Sequence, residues 1–188
     1  SWPTNGVATS AYSRAKAYTE LALDAFEARN PDTRVVRLRP GLIFSATAAS
    51  HVRRLFMGSL VPMRLVRPDA LPLLPRIPGL SFQAAHTDDV ADAYLRVIVG
   101  DVRGAFNVAA EPVFTSEVLA QVFGARLVPV PRRLMRGAVA ATWRARVHPI
   151  DSGWLDLATA SPVLDSGRAH RELGWWPTDL TGKQVADV

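Results

Sequence analysis

The 188-residue sequence contains no cysteine. This absence excludes disulfides, thiolate metal sites and cysteine nucleophiles, and it fits a reducing compartment. The four histidines do not pair at the spacing of metal ligands, so we expect no metal site. No apolar run reaches the roughly 18 residues that span a bilayer, and no secretory signal opens the chain. We therefore expect a cytoplasmic protein without a membrane partner.

A second absence concerns phosphate binding. The sequence holds no glycine-rich loop of the dinucleotide-binding or Walker type. Such loops bind the pyrophosphate of a nucleotide at the N-terminus of a helix. The chain also begins without methionine, in a polar and turn-like stretch. We expect it to begin in the middle of a longer protein.

What the sequence does contain is the composition of a folded domain. Hydrophobic residues make up 48% and charged residues 21% of the chain, which is globular rather than disordered composition. The formal net charge is +5. A basic balance suits nucleic acid, an anionic membrane or a phosphate-bearing cofactor, so charge alone leaves these three open.

Hydrophobic periodicity and punctuating residues predict alternating strands and helices. The first predicted helix runs from Ser10 to Arg29 and ends at Asn30-Pro31. Further helices are predicted at 46–60, 87–99, 115–124, 131–147 and 165–173, and strands at 34–39, 80–85, 104–109 and 126–130. The proline-rich stretch 62–79 is predicted to be an irregular loop. This alternation is typical of an α/β fold with a largely parallel sheet.

Tyr12 and Lys16 are the first candidates for chemistry. Helical spacing puts the phenol and the ammonium on one face, a turn apart. A nearby cation favours the phenolate, so the couple could exchange a proton with an alcohol or a carbonyl. Any helix can carry this pair by chance, and the pair alone favours that purely structural interpretation. Another face of the helix is predicted to be a packing stripe, formed by Ala11, Ala15, Tyr18, Ala22, Ala25 and Phe26.

Five stretches of the sequence favour the catalytic interpretation of Tyr12 and Lys16 instead, because they occur together and in a fixed order along the chain. They are Tyr12-Ser13-Arg14-Ala15-Lys16, Val36-Arg37-Leu38-Arg39-Pro40-Gly41-Leu42-Ile43-Phe44, His86-Thr87-Asp88-Asp89-Val90-Ala91-Asp92-Ala93, Gly104-Ala105-Phe106-Asn107-Val108 and Leu173-Gly174-Trp175-Trp176-Pro177. Each is a weak signal alone. Together they resemble the second half of the extended short-chain dehydrogenase/reductases, the NAD-dependent epimerase/dehydratase family.

The resemblance implies a fold. We expect the C-terminal part of a Rossmann-type parallel sheet plus a small α/β substrate-binding domain, with the N-terminal glycine-rich half absent from this chain. Residues 1–45 would be the remainder of the Rossmann domain, and residues 46–188 mainly the substrate-binding region. The exposed stripe of the first helix would then be covered by the missing N-terminal Rossmann half or by a second copy of the chain.

The resemblance also implies the chemistry. Tyr12 would be the catalytic acid/base, assisted by Lys16, in an oxidoreductase or epimerase acting on an alcohol or carbonyl of a small-molecule substrate. Tyr12 and Lys16, with Pro40, Gly41, Leu42 and Ile43, would contact the nicotinamide end of NAD or NADP. The isolated chain is expected to be inactive, because the pyrophosphate site lies outside it. The stretch before His86 lacks the Arg-Asp pair of many sugar-nucleotide enzymes, which weakens the case for a nucleotide-sugar substrate.

An alternative is a non-enzymatic basic α/β module that binds nucleic acid or an anionic membrane. Its surface would be the predicted helix 131–147, whose arginines are Arg132, Arg133, Arg136, Arg144 and Arg146. The sequence favours a solvated amphipathic helix, because no interleaved aromatic residues offer a stacking surface for bases. We therefore expect no nucleic-acid partner. His86, Asp88 and Asp89 are interpreted as part of a helix start rather than as catalytic groups.

Overall fold

The structure, a computed structural model, describes residues 5–45, 72–147 and 151–178. Its helices are α1 (Ala11–Arg29), α2 (Thr87–Val99), α3 (Ser116–Phe123), α4 (Arg132–Arg144) and α5 (Ser152–Ala160), and a π-helical turn spans Ala169–Leu173. Its strands are β1 (Val36–Pro40), β2 (Leu42–Phe44), β3 (Leu73–Arg76), β4 (Phe82–His86), β5 (Gly104–Val108), β6 (Ala110–Phe114) and β7 (Arg126–Pro129). The predicted α/β class is confirmed.

Parallel pairing dominates the described strands. β1 pairs with β5 from Val36 opposite Gly104 to Pro40 opposite Val108. β2 pairs with β4 in parallel, and β3 pairs with β7 in parallel. The exception is β6, which runs antiparallel to β4. Because β1 and β5 are parallel and pair in register, their carboxyl ends, Pro40 and Val108, lie at the same edge of the sheet.

The main core forms between β5, α2 and the end of the described chain. Phe106, Val108, Ala93 and Trp175 are fully buried or nearly so and pack in one cluster. The Trp175 indole donates a hydrogen bond to the Asp89 carbonyl at 2.8 Å, which satisfies its polar atom in the core. Trp175 is therefore a packing residue of this core.

Helix α1 contacts the sheet through charged side chains. The Arg37 guanidinium of β1 forms ion pairs with Glu20, Asp24 and Glu27 of α1. Arg39 also pairs with Glu20, its Nε lying 2.9 Å from Oε1. Since the earlier strand residue meets the later helix residues, α1 runs antiparallel to β1, and its N-terminus points towards the carboxyl end of that strand.

The stripe of α1 that the sequence predicts as a packing surface is exposed in the described part of the chain. Tyr18 is 72% exposed and Phe26 is 40% exposed, and none of the residues of α1 is buried. This exposure is the one expected from the sequence for a stripe whose cover lies outside the chain, and the acidic side of the helix faces the sheet. The reason is that β1 presents two arginines to the helix, and these select carboxylates.

Several other elements differ from the prediction. β3 lies within the stretch predicted to be an irregular loop, and β6 and α5 were not predicted at all. The N-cap of α2 is His86, whose Nδ1 accepts a hydrogen bond from the Asp88 amide, so one member of the predicted helix start is the capping residue itself. The predicted helix at 46–60 and most of the predicted loop at 62–79 lie outside the described residues.

Gly41 is required by close packing between strands. A Cβ atom at this position would lie 2.6 Å from the carbonyl oxygen of Gln83. The Gly41 amide donates to the Val108 carbonyl at 3.0 Å, so the residue joins β5 to the start of β2. The resemblance places Gly41 against the nicotinamide end of a cofactor; the structure gives its missing side chain a purely structural reason as well.

We expect Gly41→Ala to destabilise the fold by about 1–3 kcal/mol, because backbone atoms must move to admit the methyl group. Urea unfolding measures the change. The matched control is Gly137→Ala in α4, where a Cβ meets nothing within 4 Å. That change should stabilise by roughly 0.5–1 kcal/mol through helix propensity. Equal effects of the two substitutions would contradict the close approach at Gly41.

Candidate functional site

The first turn of α1 is held in place by the loop that precedes it. Ser10 is 2% exposed, and its hydroxyl caps the helix by accepting the Ser13 amide at 3.3 Å. The Ser13 hydroxyl in turn accepts the Val7 amide at 2.9 Å. Gly6 has φ of +76° and packs so tightly that a Cβ would lie 2.7 Å from the Ser13 carbonyl oxygen. The turn that carries Tyr12 is therefore fixed by contacts on both sides of the cap.

Tyr12 lies on this turn, and its ring contacts two side chains while remaining partly exposed to solvent. The Lys16 Nζ lies over the Tyr12 ring, 5.7 Å from its centroid, within the range of a cation–π contact. The indole of Trp154 stacks on the same ring with centroids 4.9 Å apart and planes inclined by 26°. Tyr12 is still 46% exposed. The structure thus brings Tyr12 and Lys16 together, as predicted from their spacing, and adds a third residue.

Trp154 is carried by α5, which is anchored to the loop before α1. At Gly153, which is buried, a Cβ would lie 2.6 Å from the carbonyl oxygen of Thr9. Asp151 caps α5 by accepting the Gly153 amide at 2.9 Å. Two residues after Trp154 lies the buried Asp156, and the Thr9 side chain is among the groups that lower the pKa of its carboxyl. The start of α5 and the loop before Tyr12 therefore form one packed unit.

Asp156 also connects this unit to the arginine-rich helix α4. Its Oδ1 lies 3.2 Å from Arg132 Nη2, and its Oδ2 lies 3.1 Å from Arg136 Nε. Burial by itself would raise the pKa of the Asp156 carboxyl, but hydrogen bonds from Thr9, Arg136 and Arg132 outweigh it and hold that pKa below its ordinary value of 3.8. At neutral pH Asp156 is therefore a carboxylate that three donors share.

The segment from Pro40 to Ile43 lies at the carboxyl end of β1. Leu42 and Ile43 pair with Ala84 and Ala85 of β4, yet their side chains remain 36% and 45% exposed. Tyr12 lies eight residues before Glu20, about 12 Å further along the helix axis. Because α1 is antiparallel to β1, that distance takes Tyr12 to the same edge of the sheet. The aromatic and cation–π contacts of its ring are with Trp154 and Lys16.

A cavity of about 530 Å³ lies elsewhere, and its lining includes neither Tyr12 nor Lys16. It opens beside the start of β6 and the segment that leads to the π-helical turn, and Gln83, Glu111, Asp165 and His170 are among its polar residues. The Gln83 amide is already used, since its Oε1 accepts the Leu164 amide at 2.6 Å and its Nε2 donates to the Leu164 carbonyl.

The described residues offer neither a metal cluster nor a membrane-spanning helix. Over 5–45, 72–147 and 151–178, no group of three histidine or carboxylate side chains is arranged to hold a metal ion. In the same ranges, no helix is both long enough and apolar enough to cross a membrane.

Trp154 and Asp156 belong to this site, although the sequence pattern does not indicate them. The available signal was the Asp151-Ser152-Gly153 start, which has a capping residue followed by a small pair, but the apolar pattern after it is too short to predict a helix or its partners. Nothing in the sequence could indicate that Trp154 meets Tyr12, since 142 positions separate them and the contact depends on the fold.

No protein-family model and no curated protein sequence matches the chain. Solved structures do match. The UDP-glucose 4-epimerase of Thermus thermophilus, in complex with NAD, superposes with a TM-score of 0.52 and 17% identity over 93% of this chain and 51% of that one. The dTDP-glucose 4,6-dehydratase DesIV of Streptomyces venezuelae, with NAD bound, superposes with a TM-score of 0.51 and 18% identity over 93% of this chain and 48% of that one.

A third structure, described as gox2253, gives a TM-score of 0.56 and 16% identity over 94% of this chain and 54% of that one. The chain thus spans about half the length of the solved structures it matches. At these identities the likeness establishes the fold: the chain is folded like one half of enzymes whose structures include NAD-bound epimerases and dehydratases.

We expect Asp156→Asn to lower the free energy of unfolding by about 1–3 kcal/mol at pH 7, because it removes a buried hydrogen-bonded charge. The folded-state pKa is depressed, so the carboxylate stabilises the fold above 3.8 and this contribution is lost as the pH falls through the folded value. Urea unfolding at several pH values should therefore show the difference shrinking below pH 3.8.

The control for this prediction is Asp92→Asn, which breaks the more exposed pair with Arg96 on α2. That substitution should change stability by less than about 0.5 kcal/mol. If Asp156→Asn lowers the free energy of unfolding as much in acid as at pH 7, the charge of the carboxylate is not what stabilises its contacts with Arg132 and Arg136.

Proposed function

We propose that the chain is the carboxyl-terminal part of an NAD(P)-dependent oxidoreductase or epimerase, in which Tyr12 is the acid/base and Lys16 assists it. The observation that carries the proposal is the Tyr12–Lys16 contact on an exposed turn at the carboxyl edge of the β1–β5 pair. Ligands of open α/β sheets bind at that edge. The fold shared with NAD-bound epimerases and dehydratases supports the same assignment.

The residues present suit the nicotinamide end of such a cofactor. Lys16 has no carboxylate partner among the described residues, so its ammonium can donate to ribose hydroxyls. Leu42 and Ile43 offer partly exposed apolar side chains on which a flat ring can rest. Most of the free energy of pyrophosphate binding would have to come from a glycine-rich turn that this sequence lacks, and we assign that turn to an N-terminal Rossmann half.

In this scheme the cofactor supplies or accepts the hydride, and this chain supplies the proton. Tyr12 donates its hydroxyl proton to the oxygen of a carbonyl substrate, or its phenolate accepts the proton of an alcohol. Lys16 stabilises the phenolate by its charge. The exposed part of Tyr12 gives the substrate oxygen a path to the phenol. We propose residues 1–45 as the remainder of the Rossmann domain and 46–188 as mainly substrate-binding.

The alternative is a basic module that binds nucleic acid or an anionic membrane, and two of the arginines of its proposed binding surface are already paired within the chain. Arg132 and Arg136 of α4 are turned to Asp156 and share its charge. Two of the arginines that motivated the alternative therefore stabilise the fold. No observation on the described residues specifically favours a polyanionic partner, so we keep the enzymatic proposal.

We expect Tyr12→Phe, in the longer protein that contains this chain, to lower kcat by at least about 10²-fold, the usual scale for a positioned acid–base group. The substrate is first found by following nicotinamide absorbance over a panel of alcohols and carbonyl compounds. Tyr18→Phe is the matched control, because Tyr18 lies on the same helix with its ring 72% exposed. Undiminished turnover of the Tyr12 variant would exclude Tyr12 as the acid/base.

We also expect the 188-residue chain by itself to bind neither NAD(H) nor NADP(H) at micromolar concentrations and to be inactive. The physical reason is the missing pyrophosphate site, since the charge of a dinucleotide lies on its phosphates. Titration calorimetry on the isolated chain, with sedimentation to define its assembly state, measures this. Micromolar binding by a monomer would overturn the division of the cofactor site between two halves.

A further inference from the structure

We infer that Trp154 is a positioning residue for the Tyr12 phenol; this inference rests on the proposed function and extends it to a second element. The starting observation is how little else holds the phenol. Among the described residues, the Tyr12 hydroxyl has no hydrogen-bond partner. The direction of the C–O bond is therefore set by contacts of the ring, and Trp154 makes the stacked one, at 4.9 Å.

The position of the Trp154 indole is fixed by contacts of the residues that flank it in α5. Gly153 lies against Thr9 so closely that a single methyl group there would fall 2.6 Å from the Thr9 carbonyl oxygen. On the other side of Trp154, Asp156 is hydrogen-bonded to two arginines of α4. Thr9 is three residues before Tyr12. The Gly153 contact thus fixes α5 to the loop that starts the Tyr12 helix, and the Asp156 contacts fix α5 to α4.

The stack has a consequence for the substrate as well. Trp154 is partly buried and Tyr12 is 46% exposed, so the indole covers part of the phenol and leaves part of it open to solvent. A substrate oxygen that reaches the phenol must approach beside an aromatic wall. That wall favours substrates whose reacting carbon carries an apolar or planar group, since such groups gain by stacking on an indole.

The first test measures the contact without any activity. In NMR spectra of the 188-residue chain, the indole should shift the Tyr12 ring protons upfield by its ring current. Trp154→Ala should abolish that shift, and Trp154→Phe should keep part of it. The control is Trp176→Phe, which alters an exposed stack on His170 with centroids 4.2 Å apart. A Tyr12 shift that is the same in all variants would overturn the inference.

A second variant keeps both rings and disturbs only their anchorage. Gly153→Ala places a methyl group where Thr9 and Ser10 now lie. We expect it to reduce the Tyr12 ring-current shift although Trp154 is intact. An unchanged shift in a folded Gly153→Ala chain would show that the glycine contact does not set the stack.

The functional test uses the longer protein and the substrate found there. We expect Trp154→Ala to lower kcat by about 10- to 10²-fold, the scale of a misplaced reacting group, with KM for the nicotinamide cofactor unchanged. Trp154→Phe should restore at least half of kcat. Values are expressed per folded protein from parallel urea curves, so a loss of stability alone does not count as support.

The outcomes separate the two proposals. If Tyr12→Phe is inactive while Trp154→Ala turns over like the wild type, the positioning role is wrong and the acid/base assignment stands. If Tyr12→Phe is fully active, the proposed function is wrong, whatever the NMR shifts show. If kcat falls as far in Trp154→Phe as in Trp154→Ala, positioning by an aromatic ring is also wrong.

Discussion

The Arg37 guanidinium is the contact on which the placement of α1 depends. Its side chain is 12% exposed and meets carboxylates from three turns of the helix. None of the residues of α1 is buried, so apolar burial does not fix the helix on the sheet. The spacing of Glu20, Asp24 and Glu27 along one face determines both the direction of the helix and its register on β1. The edge at which Tyr12 emerges follows from that register.

Such a contact has an asymmetric energetic character. Taking an arginine out of water costs free energy, and its three carboxylates offset that cost, whereas removing one partner leaves a buried charge less well compensated. The Arg37 Nε is buried without a hydrogen-bond partner among the described residues, which adds to the cost. Arg39, 44% exposed, contributes less, although its hydrogen bond lowers the pKa of Glu20 against the opposing effect of burial.

The sequence predicts local structure well where one residue type decides it. The helix predicted from Ser10 to Arg29 forms with Ser10 as its cap, and Gly124, the last residue of the helix predicted at 115–124, ends α3 in the left-handed conformation, with φ of +61°. The pattern fails for β3 and β6, because each strand contains a proline, Pro75 and Pro112, that argues against a strand. These strands form nevertheless, since partner strands supply pairing that a local pattern does not contain.

For the candidate site, spacing alone predicted the Tyr12–Lys16 contact, because both residues lie on one helix. The positions of Trp154 and Asp156 depend on how α4 and α5 pack against a loop far away in the sequence, and no periodicity encodes that. The side of α1 that meets β1 is not indicated by the sequence either, for a related reason. Apolar patterning identifies a side that avoids water, but here the two arginines on β1 decide which side meets the sheet.

The two unlike faces of α1 give the helix opposite responses to dissolved salt. Mobile ions weaken attraction between partly exposed charges, so concentrated salt loosens the grip of Glu20, Asp24 and Glu27 on β1. Excluded salts such as sulfate act the other way on the outer stripe of Tyr18, Ala22 and Phe26, because they strengthen the burial of apolar surface. At high concentrations of an excluded salt, the ion pairs between α1 and β1 are therefore weakened, while burial of the apolar stripe of the same helix becomes more favourable.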